Sequence, residues 1–314
     1  MRRKAIIISI KGTSLTRREK LLLSKEKPWG LILFKRNIKS IQQIKNLIKD
    51  IKRFVKDKRF PILIDEEGST VSRLRGIIKN NFEASYFGDL YKLDKQIAIE
   101  LYKNYLKSLC DNLKNIGISI NTIPVLDILR NNTNSIIGNR SFSKDKDIVR
   151  DLGKITINEC HANKILTVVK HIPGHGCSTV DSHQKMPKVN LNIRLLNKID
   201  FYPFKLKHSK LAMTAHVLYS KIDSRNVSTF SKKIINEIIR KKIGFKGILM
   251  SDDISMKALK YDLITNAKKS LLAGCNLVLY CAGNIKDNFK LIKSVPYIDQ
   301  FTAKKTSEIY KILR

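Results

Sequence analysis

Short apolar runs rich in Ile, Val and Leu alternate with longer amphipathic stretches along almost the whole chain. Eight runs stand out: AIIISI from Ala5, GLILF from Gly30, PILID from Pro61, ISINTIPVLDI from Ile118, ILTVVKH from Ile165, LAMTAHVL from Leu211, GILMSDD from Gly247 and NLVLYC from Asn276. Between them apolar residues recur at helical spacing. Ile41, Ile44, Leu47, Ile48 and Ile51 form one stripe; Ile99, Tyr102, Leu106 and Leu109 a second; Ile234, Ile235, Ile238 and Ile239 a third. Such stripes are expected to face a core rather than a ligand. Strands that are apolar on both faces imply a parallel sheet covered on both sides by helices, and eight strand–helix units match a closed (β/α)8 barrel of the TIM type, an α/β fold. An open doubly wound sheet is the alternative. No Pro/Gly/Ser-rich linker and no internal repeat divides the sequence, so residues 1–314 are expected to form one domain.

Composition narrows the class without changing this picture. The chain has 314 residues, 43% hydrophobic and 28% charged, with 14 Gly and 7 Pro, which is the profile of a globule and not of a disordered or collagen-like chain. Met1, Arg2, Arg3 and Lys4 followed by Ala5 to Ile10 imitate the start of a secretory leader, but the apolar run stops at Lys11 and no small-residue cleavage site follows. A strand is expected there. The stretch from Leu271 to Gly283 is too short to cross a bilayer, so no membrane partner is expected. Five cysteines without a CxxC pair argue against a disulfide framework or a zinc ribbon and fit a reducing cytoplasm. The formal net charge of +34 raises the question of an anionic partner. Its lysines are scattered over nearly every helix and match no nucleic-acid reader motif, so no specific nucleic-acid partner is expected. Lys, Ile and Asn share A/T-rich codons, so genome composition is the expected source of much of the excess.

In a barrel of this kind active-site groups sit where strands end. Asp65 ends the third run, Lys170 and His171 the fifth, His216 lies late in the sixth and Asp252 ends the seventh. The loop KHIPGHGCSTVDSH, from Lys170 to His183, admits two readings. In one, His171, His175 and His183 ligate a metal and support a metal-dependent hydrolase, although the spacing is not that of an HExxH pair. In the other, Asp181 and His183, two apart on an extended segment, point to one side, and the carboxylate raises the pKa of the imidazole, making it a proton donor. In GFKGILMSDDISM a carboxylate at a strand's end is placed to attack a sugar carbon, while Ser251, Asp252 or Asp253 as a helix cap is the competing reading. Strand alternation puts Asp252 on the face of Ile248 and Met250 and turns Asp253 away. IDEEGSTVSRL adds Asp65 and Arg73, and IGNRSFSKD adds Arg140.

Together these stretches resemble the bacterial β-N-acetylglucosaminidases of glycoside hydrolase family 3, the cytoplasmic enzymes of peptidoglycan recycling. KHIPGHGCSTVDSHQKMP is similar to the family's KHFPGHGxxxxDSHxxxP loop, GFKGILMSDDISM to its nucleophile segment, IDEEGSTVSRL to its DQEGGRVQR turn and IGNRSFSKD to its IGDRxFxxD stretch. WGLILFKRNI, IPVLDI, MTAHVLYSKID and LLAGCNLVLYC extend the likeness over nearly the whole chain. The resemblance implies a retaining exo-glycosidase on a single barrel, with no cofactor and no metal. Its implied substrate is a small carbohydrate, terminal N-acetylglucosamine on muropeptide fragments, and its implied state a cytoplasmic monomer. It implies Asp252 as nucleophile, His183 as acid/base with Asp181 as its partner, and Asp65, Arg73, Arg140, Lys170 and His171 as the groups that hold the sugar. Ser69 and Thr70 replace a Gly and an Arg of the family's turn, Glu66 replaces its Gln, and Cys177 stands where a polar residue is frequent.

Overall fold

The computed structural model describes residues 2–130, 137–178, 185–206 and 208–313. All eight apolar runs contain barrel strands: β1 (Lys4–Ile8), β2 (Pro28–Leu33), β3 (Ile62–Ile64), β4 (Ile120–Asn121), β5 (Leu166–Ile172), β6 (Leu211–Thr214), β7 (Ile248–Asp253) and β8 (Leu277–Tyr280). Every neighbouring pair is parallel and the sheet closes, β8 returning to β1 with Ile7 opposite Leu279. This is the (β/α)8 barrel of the sequence pattern, and the open sheet is excluded. A separate two-stranded sheet pairs Lys188–Val189 with Leu218–Tyr219 above it, an addition that the pattern did not announce.

The strands read as continuous apolar runs because both faces are buried. Ile7, Ile32, Leu63, Val168, Met213 and Met250 point into the barrel, while Ile6, Ile8, Leu31, Leu33, Ile62 and Ile64 pack outward against helices. At the lower end Trp29 and residues Ile309 and Tyr310 of the last helix join the interior cluster, and Trp29 Nε1 donates to Thr306 Oγ1 (2.9 Å). The barrel is therefore stoppered below.

The helices are α1 (Arg17–Glu26), α2 (Ile41–Val55), α3 (Ala84–Leu93), α4 (Lys95–Ile116), α5 (Lys146–Ala162), α6 (Ile193–Lys198), α7 (Leu263–Ala273), α8 (Ile285–Ser294) and α9 (Gln300–Ile312). Their ends follow local chemistry: Asp94 caps α4 by accepting from the N–H groups of Gln96 and Ile97, and Gly117 ends it at φ +98°. In α2 the stripe Ile44, Leu47, Ile48 and Ile51 is buried as its spacing predicts, whereas Ile41 at the first turn is exposed. The third stripe is also buried, but Ile234–Lys242 winds as a π-helix. Two adjacent apolar pairs four residues apart satisfy either winding.

Candidate active site

The upper ends of the strands border a cavity of about 300 Å³. Asp65, Arg73, Arg140, Lys170, His171 and Asp252, each singled out in the sequence, all line it. Asp181 and His183 lie outside the described residues.

Asp65 directly follows β3, and the turn after it returns Arg73, whose Nη2 donates to Asp65 Oδ2 (2.8 Å). Lys170, near the end of β5, is buried; its Nζ stands 2.6 Å from Glu67 Oε1 and 3.7 Å from Asp65 Oδ1, and donates to Thr122 Oγ1 (2.9 Å). Arg140, on a short 3-10 turn (Gly138–Arg140), grips Glu67 with two bonds, Nε to Oε2 (2.7 Å) and Nη2 to Oε1 (2.9 Å). Burial alone pushes both carboxyls up, but the cations prevail: Lys170 and Arg73 hold Asp65 far below the usual range, and Arg140 and Lys170 bring Glu67 down to about 2. Burial works against Arg140, yet Glu67 keeps its guanidinium firmly charged. The result is a fixed lattice of ionised groups, with charge-assisted donors and acceptors already oriented for hydroxyl and amide groups.

Glu67 was not singled out from the sequence. Asp65 and Glu67 are two apart after one strand, and that spacing was the available sign that they share a side. Glu66 between them is fully buried and does something else: its Oε2 accepts from the backbone N–H groups of Arg73 and Leu74 (2.9 Å each) and its Oε1 from Asn80 Nδ2 (2.7 Å). It folds the turn that presents Arg73. Ser69 and Thr70 both donate to Glu83 Oε1 (2.6 and 2.7 Å), fastening the same turn to the start of α3.

His171 Nδ1 is 2.7 Å from Asp127 Oδ2, and the N–H of His175 donates to Asp127 Oδ1 (2.6 Å). Burial raises the Asp127 carboxyl, but the two histidines outweigh it and the net shift is downward. Asp127 therefore orients His171, a role that IPVLDI hinted at only through its carboxylate at a run's end. Burial pulls His175 down to about 4, so it is neutral near neutral pH. The metal reading draws on His171 and His175, whose ring centroids are 5.8 Å apart, and on His183, outside the described residues. Among the described residues no group of three His, Cys, Asp or Glu side chains is spaced to hold a metal ion.

Asp252 sits on β7 at the cavity wall, and its Oδ1 accepts from the N–H of Asp253 (2.7 Å). Burial disfavours its ionised form, but His216, His171, the Asp253 N–H and Lys170 together lower its pKa. His216 Nε2–H donates to the carbonyl of Asp253 (3.0 Å) and its Nδ1 accepts from Thr229 Oγ1 (2.7 Å), which braces the peptide beside Asp252. Asp253 does not turn away as strict alternation requires. It also borders the cavity, because a bulge intervenes: Leu277 faces Met250 while Leu279 faces Asp253, three residues of β7 against two of β8. Its carboxylate accepts from Ser255 N and Oγ (3.1 and 2.7 Å) and from Cys281 N (3.2 Å), and burial raises its pKa. A similar shift on β5, between Val169 and Ile172, lets the consecutive residues Lys170 and His171 both reach the cavity.

A stoppered barrel whose upper cavity combines polar clamps with an aspartate of lowered pKa is an arrangement that suits a glycosidase, and comparison with known proteins assigns the chain to that class. Residues 5–306 match the glycosyl hydrolase family 3 N terminal domain. Beta-hexosaminidases of Actinobacillus succinogenes and Haemophilus influenzae are 34% and 32% identical to the chain, over 94% and 93% of it and 87% and 85% of their own lengths. The structure of NagZ from Neisseria gonorrhoeae in complex with N-trifluoroacetyl-D-glucosamine shares the fold with a TM-score of 0.88 at 29% identity, covering 98% of this chain and 90% of that one. The chain belongs to glycoside hydrolase family 3.

Proposed function

We propose that the chain is a retaining exo-β-N-acetylglucosaminidase that removes terminal β-linked N-acetylglucosamine from muropeptide fragments, working as a single catalytic domain, 1–314, and as a monomer in the cytoplasm. The observation that carries this reading is Asp252, an aspartate kept ionised at the wall of a cavity whose other polar groups are already paired and oriented. Beta-hexosaminidase relatives and a neighbouring structure holding an N-acylated glucosamine support the sugar's identity.

In the first step the Asp252 carboxylate attacks the anomeric carbon as the glycosidic C–O bond breaks, and the departing oxygen takes a proton from the His183 imidazolium. This forms a glycosyl–aspartate ester. In the second, water attacks the same carbon, its proton passes to the now neutral His183, and the ester bond opens to restore Asp252. Asp181 orients His183; both roles rest on the family resemblance. Asp65, Lys170, Arg73, Arg140 and His171 hold the sugar over Asp252, so the reacting atoms meet without further ordering. A histidine donor departs from the usual two-carboxylate plan, and the carboxylate-separation rule for stereochemistry does not apply.

The test is hydrolysis of a chromogenic β-N-acetylglucosaminide with EDTA throughout, by wild type, Asp252→Asn and His183→Ala. Turnover that disappears in the first variant and drops sharply in the second supports the proposal. Full activity in Asp252→Asn, or dependence on added metal, sinks it.

A further inference from the structure

The lower end of the molecule, opposite the catalytic cavity, carries a different chemistry. Helix α2 and the end of α4 border a groove of about 680 Å³ lined by Lys45, Lys49, Lys52, Arg53, Lys56 and Lys58. Lys45, Lys49, Lys52 and Lys56 follow at i, i+4, i+7 and i+11, so one helical face presents them in a row, while Ile48 and Ile116 floor the groove. The carboxylate among its described lining residues, Asp57, is taken by Arg3. Arg53 pairs with Asp50 at 3.1 Å on the exposed surface, where such a pair neutralises little. Lys52 is half-buried against the Gly117 carbonyl (3.5 Å), and burial lowers its pKa. Lys45 Nζ donates to Asn115 Oδ1 (2.9 Å), and like charges three and four residues apart on one helical face repel one another, which an anion among them relieves.

The surroundings extend the field. Segments 2–4, 25–27, 52–59 and 240–246, which feed the lower barrel, carry fourteen Lys and Arg against Glu26 and Asp57. Arg3 and Arg240 donate to backbone carbonyls, and most of the others are exposed. Asp65, Glu66, Glu67, Asp127, Asp252 and Asp253, by contrast, gather at the upper end. These lower segments therefore carry a local surplus of positive charge.

We propose that this groove binds the phosphodiester backbone of a single-stranded nucleic acid without reading its bases. A concave channel suits a narrow charged strand, whereas a flat bilayer reaches only its rim. The lining residues include no aromatic side chain to stack on a base and no amide to read one, so affinity rests on phosphate contacts and counterion release.

Binding of labelled poly(U) and poly(dT) is measured by fluorescence anisotropy against salt concentration, with wild type, Lys49→Glu/Lys58→Glu, and Lys286→Glu/Lys290→Glu, an equal charge reversal on the exposed face of α8. The expected result is equal affinity for both polymers and a log–log salt slope of about −3 to −4, as about five phosphate contacts require. The groove variant is expected to lose at least about tenfold in affinity, since two of the phosphate contacts are removed and made repulsive. The α8 variant keeps most of its binding, and both keep wild-type glycosidase activity. Absent binding at low salt, equal loss in the two variants, or displacement of the polymers by phosphatidylserine vesicles at lower phosphate concentration each overturns the proposal.

Discussion

Two carboxylates set the terms at the scale of single residues. Asp252 carries a lowered pKa, so it is ionised above that depressed value and stays so through the ordinary carboxylate range near 3.8. The acid limb of the pH profile of kcat/KM is therefore expected to fall below that range or to belong to another group, and titration of the rate across acidic pH checks it. Asp252→Asn removes the proposed attacking group and is expected to lower kcat by roughly 10³-fold or more while leaving the thermal midpoint near that of wild type. Glu67, bonded by Arg140 and Lys170, acts through its neighbours. Glu67→Gln keeps the shape but removes the charge, leaving two buried cations partly unpaired. The expected outcome is a loss of about 10- to 100-fold in kcat/KM, equivalent to about 1.5–3 kcal/mol, mostly in KM. Steady-state kinetics on the chromogenic substrate separates the two effects.

At the scale of elements, a close approach decides where Arg140 stands. An added Cβ at Gly88 of α3 comes within 1.6 Å of the Phe142 carbonyl, two residues beyond Arg140. Gly88→Ala is expected to force the two segments apart, lower stability by about 2–4 kcal/mol and raise KM as Arg140 leaves Glu67. Calorimetry and kinetics together check both effects. The elements themselves were plain in the sequence, because a strand buried on both faces writes an unbroken apolar run and the helices between write their own period: each of the eight runs became a barrel strand. Asp65, Lys170, His171 and Asp252 were found because strand ends locate the mouth of such a barrel. What the pattern could not carry were the bulges on β5 and β7. A two-residue period assigns consecutive residues to opposite faces, whereas one extra residue brings Lys170 with His171, and Asp252 with Asp253, to the same cavity. Glu67 and Asp127 escaped for a related reason: each matters through a partner distant in sequence, Arg140 and His171, and sequence spacing cannot reveal such pairs.

Across the whole molecule, protonation links the site to stability. His175 and His161 are both pulled down to about 4 by burial, below the value near 6.5 of an unfolded chain. Between those values the unfolded state binds protons that the folded state refuses. Their contribution to stability is thus whole above about 6.5 and is lost as pH falls toward 4. The thermal midpoint is expected to decline over that interval, and His161→Gln to flatten the decline. An unchanged slope in that variant would remove His161 from the account.

The stopper formed by Trp29, Ile309 and Tyr310 makes the cavity a blind one. A chamber closed below among the described residues imposes an order of traffic on the proposed two-step hydrolysis: the aglycone, nearest the entrance, leaves first, water follows it in, and the freed sugar is last out. N-acetylglucosamine is accordingly expected to compete with substrate for the empty enzyme, raising the apparent KM without changing the maximal rate, and inhibition kinetics with the free sugar reads this directly.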